Sequence, residues 1–137
     1  MAAGFRALNL SVLAGRYAIL RFAPDAAIPG WAPCGDFFSV TRSDEELSVV
    51  CGLDNLPAGE RPAKEWRVVK VLGPFSFDEI GVLASLVEPL ANERVGVFAI
   101  STFDTDYLLV QSEQLKKAIA ALQDRGHRIV GNERAFP

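Results

Sequence analysis

The sequence predicts an α+β fold: a strand-rich first half, then a module of strand, helix, strand, strand, helix, strand. Three observations predict it. Short apolar runs of period two fill the first half, while helical spacing of apolar residues occurs in two stretches of the second. Proline and glycine cluster between runs, at 23–36 and 52–64, and mark loops. The chain has 137 residues, 50% apolar and 23% charged, which suits one globular domain or two small modules sharing a core.

Residues 8–13 and 17–22 alternate and are separated by Ala14, Gly15 and Arg16, a spacing that predicts a hairpin. Residues 23–36 carry Pro24, Pro29 and Pro33, so no more than a single helical turn, near 29–32, fits there. Trp31 in this loop is read as a plug over the core rather than a ligand-facing aromatic. Residues 37–41 and 47–51 form a second strand pair joined by an acidic connection, 42–46. The segment 52–64, with Pro57, Gly59 and Pro62 among charges, marks the boundary, giving modules 1–61 and 62–137.

Residues 66–72 are β-branched and read as a strand. In PFSFDEIG, Ser76 and Glu79 make a capping box with Phe75 and Ile80 at the staple positions, so a helix is expected from Phe77. Ile80, Leu83, Leu86, Val87, Leu90 and Ala91 follow on one face, and Pro89 inside the pattern frees the carbonyl of Ser85. Strands are expected at 95–100 and 107–110. A second helix starts at Ser112, with Leu115, Ile119 and Leu122 on one face, and stops at Gly126. A short strand at 128–130 and a fraying polar tail, 131–137, complete the chain. This order is the ferredoxin-like, split βαβ arrangement.

The strands of this module do not alternate well: Val95, Val97 and Ala99 are apolar, and so are Phe98 and Ile100 between them. The face away from the helices must therefore be covered, by the first half or by another chain. A homodimer is expected on this ground.

Composition excludes several functions. A net charge of −3 with scattered Lys and Arg provides no basic stripe for a phosphate backbone, so no nucleic acid is expected. No apolar run approaches the roughly 20 residues needed to span a bilayer. Asn9 and Ser11 interrupt the N-terminal apolar residues, so the start reads as mature protein and the location as cytoplasmic. Cys34 and Cys51 are read as reduced and structural. No metal-ligand cluster, phosphate loop or nucleophile elbow is present, so no metal, no cofactor and no enzyme activity are expected.

Asp104 and Asp106, two apart in a turn, suit hydrogen bonding to backbone better than metal or ligand binding. His127, after Gly126, suits a helix end better than catalysis. An enzyme using Asp106 or His127 is the weakest of the readings.

The second half, GPFSFDEIGVLASLVEPLANERVGVFAISTFDTDYLLV, resembles the small-molecule-binding ACT domain, in particular the tandem ACT pairs of CASTOR-type arginine sensors. The carrying features are Gly81, placed inside the first helix, the VxVxxxST strand at 95–102 and the TDY-x-LV segment at 105–110. FFSVTRSDEELSVV, 37–50, resembles the degenerate first module of the same group. The resemblance implies tandem ferredoxin-like modules, the first degenerate, and a non-catalytic regulatory protein that binds an amino acid, with aspartate kinase tails among its cousins.

Carried onto this chain, it places the ligand against the helix start, Phe75, Ser76, Phe77, Asp78, Ile80, Gly81 and Val82, and against the strand Val95, Gly96, Val97 and Phe98. Ser101, Thr102, Thr105 and Asp106 match motif positions as secondary or structural contacts. Gly96 stands where the sensors place a hydroxyl, leaving only backbone groups there. Gly81 fits either close approach of a ligand or close packing of helix on sheet. The alternative function is a structural, protein-interaction dimer with no ligand.

Overall fold

In the computed structural model, residues 7–73 and 80–131 are described. They form β1 (Asn9–Val12), β2 (Tyr17–Phe22), β3 (Ser39–Arg42), β4 (Leu47–Gly52), β5 (Trp66–Val71), α1 (Val82–Asn92), β6 (Phe98–Ser101), β7 (Asp106–Gln111), α2 (Leu115–Arg125) and β8 (Arg128–Ile129). Two compact units result, Gly15–Trp66 and Met1–Ala14 with Arg67–Pro137. The first strand thus joins the second half, whereas a simple cut at residue 61 leaves it with the first.

In the Gly15–Trp66 unit, β4 pairs antiparallel with β2 from Tyr17↔Gly52 to Phe22↔Leu47 and with β3 from Ser39↔Val50 to Arg42↔Leu47. The acidic connection closes as a serine turn: Ser43 Oγ accepts the amides of Glu45 and Glu46. The proline-rich loop makes only a turn, with the Ala32 amide on the Pro29 carbonyl. Its Trp31 packs against the cluster of Ala32, Leu47, Val49 and Cys51, 6.3 Å from the Phe22 ring, and so plugs this core. Arg42 donates to the carbonyls of Pro24 and Ala26, tying the loop to β3.

The second unit contains β5, α1, β6, β7, α2 and β8 in ferredoxin-like succession, with one departure. Its sheet order is β8-β1-β5-β7-β6, so β1 is inserted between β8 and β5. The expected hairpin between β1 and the following strand does not form. β1 instead pairs antiparallel with β5, Leu10↔Val71, and parallel with β8, Leu10↔Ile129. Both of its edges are used, and Leu8, Leu10 and Val12 are buried, which fits an interior strand.

One sheet face carries Leu10, Val12, Val69, Val71, Leu108 and Val110 against Leu86 and Leu90 of α1 and Leu115, Ile119 and Leu122 of α2. Each such leucine contributes about 1.5–3 kcal/mol by leaving water. On the other face, Val68 and Leu109 have no exposure in the single chain, so these two positions do not call for a second copy.

Helix α1 begins later than its apolar pattern suggests. Gly81 precedes it in the left-handed region, φ 82°, and Ile80 is 94% exposed instead of lying on the buried face. The capping-box residues Ser76 and Glu79 lie outside the described residues, as does the tail from 132. A Cβ on Gly81 would meet nothing within 4 Å, so its φ, and not close packing, requires glycine. The following strand also starts late, at Phe98. Val95 spends its amide on the Leu90 carbonyl at the helix end, so it is buried without joining the ladder.

Candidate functional site

The turn between β6 and β7 is the polar feature that the strands frame. Ser101 and Asp106 are register partners, and Ser101 Oγ donates to Asp106 Oδ1 at 2.5 Å. Thr102 Oγ1 donates to the Thr105 carbonyl at 3.1 Å and accepts its amide at 3.3 Å, while the Thr102 amide reaches the same carbonyl at 2.8 Å. Thr105 Oγ1 donates to the Val71 carbonyl of β5, and the side chain is buried. The hydroxyls therefore pin the turn to itself and to the neighbouring strand.

This turn and the end of β5 border an open hollow of about 270 Å³, lined by Lys70, Leu72, Gly73, Thr102, Asp104, Thr105 and Tyr107. Its size lies just below the range of about 300–1,000 Å³ typical of small-molecule sites and suits a small ligand. The Lys70 ammonium stands 5.9 Å from the centroid of the Tyr107 ring, within cation–π reach. The hollow thus combines an ammonium, a carboxylate, a hydroxyl and an aromatic ring on a hydrogen-bonded frame.

A larger hollow of about 450 Å³ lies in the other unit, lined by Leu53, Asp54, Leu56, Arg61 and Glu65. Asp54 there lies in a single helical turn, Leu53–Asn55, and Arg61 and Glu65 on the loop before β5, whereas Lys70 and Tyr107 of the smaller hollow stand on strands, a better base for fixed geometry. The smaller hollow is the better candidate.

The sequence-predicted residues fall into four groups. Phe75, Ser76, Phe77 and Asp78 lie outside the described residues. Val95 is core, Val97 packs against it, Gly96 is exposed and Phe98, where β6 begins, is half-buried, so 95–98 does not present one surface. Thr102 and Thr105 line the hollow, and Ser101 and Asp106 close the turn beside it. At the helix start, Gly81 has no side-chain cap and Val82 packs on the core.

Lys70, Leu72, Gly73 and Tyr107 did not enter the sequence-based site, and Asp104 entered only as a turn residue. A signal existed: Lys70 is the lone charge after Arg67 in an otherwise apolar strand, and its period-two partner is Leu72. His127, weighed for catalysis, is buried with both ring nitrogens engaged by backbone, the Leu8 amide and the Ser85 carbonyl. Burial pushes its pKa below the usual histidine value. Of the two thiols, Cys34 is exposed and Cys51 buried, where burial pushes the thiol up. No helix among the described residues is long and apolar enough to cross a membrane.

Fold and turn together define a ferredoxin-like α+β protein with a strand-rich companion module. The ACT domain model matches residues 62–124, and a second model, described as an N-terminal domain, matches 15–59. The crystal structure of protein Atu0741 from Agobacterium tumefaciens is similar along nearly its whole length, at 41% identity, 92% and 94% coverage of the two chains and a TM-score of 0.83. The cytosolic arginine sensor for mTORC1 subunit 1 of Rattus norvegicus is 41% identical over 61 residues, which span 44% of this chain but only 18% of that protein. The regulatory subunit of aspartate kinase from Thermus flavus shares the fold at 15% identity, with 88% and 99% coverage and a TM-score of 0.60.

Proposed function

We propose that this chain is a non-catalytic regulatory protein that binds a small amino acid through its 62–137 module and acts as a cytoplasmic homodimer. The observation that carries the reading is the pairing of Lys70 and Asp104 in one hollow. An ammonium and a carboxylate on a fixed frame complement the α-carboxylate and α-ammonium of a zwitterion, and neither calls for a chemical step. Thr102 and Thr105 hold the frame. The likeness to a protein named as a cytosolic arginine sensor supports both the ligand class and the location.

Thermal denaturation against the common amino acids tests this. A ligand at ten times its Kd stabilises by about 1.4 kcal/mol, roughly 4 °C for a domain of this size. At least one amino acid should give such a shift at millimolar concentration, and Lys70→Met and Asp104→Asn should each abolish it while leaving the unliganded Tm within about 2 °C, as surface substitutions do. No shift with any amino acid would overturn the reading.

One observation favours a structural dimer instead. Ile80 and Phe103 are large apolar side chains 94% and 79% exposed, and self-association is one way to cover them. A dimer by light scattering whose Tm ignores every amino acid would select that alternative.

A further inference from the structure

We propose that His127 is an acid-sensitive latch at the entry to the inserted strand: its neutral ring fastens Leu8, just before β1, to α1, and protonation loosens that entry together with β8.

The latch begins with Pro89. Proline has no amide hydrogen, so the Ser85 carbonyl one turn earlier in α1 has no helical donor. Ser85 Oγ does not serve that carbonyl, since it donates to the Val82 carbonyl at 2.7 Å. His127 Nε2 lies 3.1 Å from the Ser85 oxygen and fills the place. Gly126, at φ 110°, ends α2 and turns the chain so that the His127 amide reaches the Leu122 carbonyl and its ring lies inside the unit, 3% exposed.

The other ring nitrogen decides the protonation state. The Leu8 amide, just before β1, lies 3.1 Å from His127 Nδ1, and an amide can only donate. Nδ1 must then be the acceptor, the proton sits on Nε2, and the ring is neutral. A proton added at Nδ1 would set two donors against each other in a buried place. The pair would have to part, leaving the Leu8 amide without its acceptor.

The surroundings agree. On α2, Arg125 puts positive charge beside the ring, and its guanidinium is paired with Glu88 of α1 at 2.8 Å; Asp124 is exposed. On β8, Arg128 donates to Asn9 Oδ1 at 2.8 Å, and Leu8 through Val12 contain no titratable side chain. Burial is the main cause of the lowered pKa, Arg125 adds to it, and the bond to Ser85 opposes it.

The consequence reaches two strands. β8 is two residues long and pairs with β1, through the Arg128 amide on the Leu8 carbonyl and the Val130 amide on the Leu10 carbonyl. Freeing Leu8 therefore loosens β8 as well. The opened state binds a proton that the closed state excludes. Latch stability is complete above the ordinary histidine pKa of about 6.5 and falls as pH drops toward the lowered folded value, by a factor of ten in the opening equilibrium per pH unit.

The chain has one histidine, so its imidazole resonances are unambiguous. Nitrogen-15 NMR of the full chain at pH 7 should show the Nε2–H tautomer. From pH 6.5 downward, the protection factors of the Leu8, Arg128 and Val130 amides should fall up to tenfold per pH unit while those of Val49 and Val50 in the β2–β4 pair hold. His127→Gln should remove this pH dependence; should that variant not fold, the titration of the unaltered chain decides alone. A ring that carries its proton on Nδ1, or one that titrates near 6.5 with unchanged protection, would overturn the proposal.

Discussion

Thr105 concentrates the argument at the scale of one residue. Its hydroxyl leaves the turn and reaches the Val71 carbonyl, so the wall of the hollow and the end of β5 are tied by a single buried bond. Thr105→Val keeps the shape and removes the donor. It should destabilise the chain by about 1–3 kcal/mol, the cost of a buried carbonyl left unsatisfied, and urea denaturation would measure it. An unchanged midpoint would mean that the Val71 carbonyl has another partner. The role of the turn as a brace was legible in its hydroxyls and carboxylates. The partner of Thr105 was not legible, because a hydroxyl 34 positions away along the chain carries no periodic signal.

At the scale of elements, the two helices end alike and differ in one residue. In α1 the Arg94 amide meets the Ala91 carbonyl and the Val95 amide meets Leu90; in α2 the Gly126 amide meets Gln123 and the His127 amide meets Leu122. Both are Schellman ends, which need a left-handed residue. Gly126 supplies it at φ 110°, whereas α1 uses Arg94 at φ 60°. Arg94→Gly should stabilise by up to about 1 kcal/mol and Gly126→Ala should destabilise by about the same amount, as thermal denaturation would record. The helices themselves were legible from their apolar spacing, but their starts were less so. Ile80 continues the pattern by hydrophobicity and the backbone breaks it at Gly81, since spacing says nothing of φ.

At the scale of the whole molecule, the βαββαβ succession was readable from period and punctuation, and the placement of the first strand was not. Leu8, Leu10 and Val12 alternate equally well in a hairpin or in the middle of a sheet. What separates the two is the burial of both edges, a property of distant partners, Val71 and Ile129, and not of the run itself. The same limit explains the site. Period two places Lys70 and Leu72 on one face of β5, but only the register of β5 beside β7 brings them to the Thr102–Tyr107 turn. Family resemblance pointed to the helix start and to 95–98; the hollow takes in Leu72 and Gly73, at the end of β5 that leads toward that helix.

The central claim is that the hollow beneath the turn holds an amino acid. Chemical-shift mapping tests it most directly: the amino acid that raises Tm is titrated into the labelled chain while backbone amides are followed. The account predicts saturable shifts concentrated at Lys70, Leu72, Gly73 and 102–107, lost in Asp104→Asn. Shifts that saturate only around Leu53 to Glu65, or none at all, would contradict it.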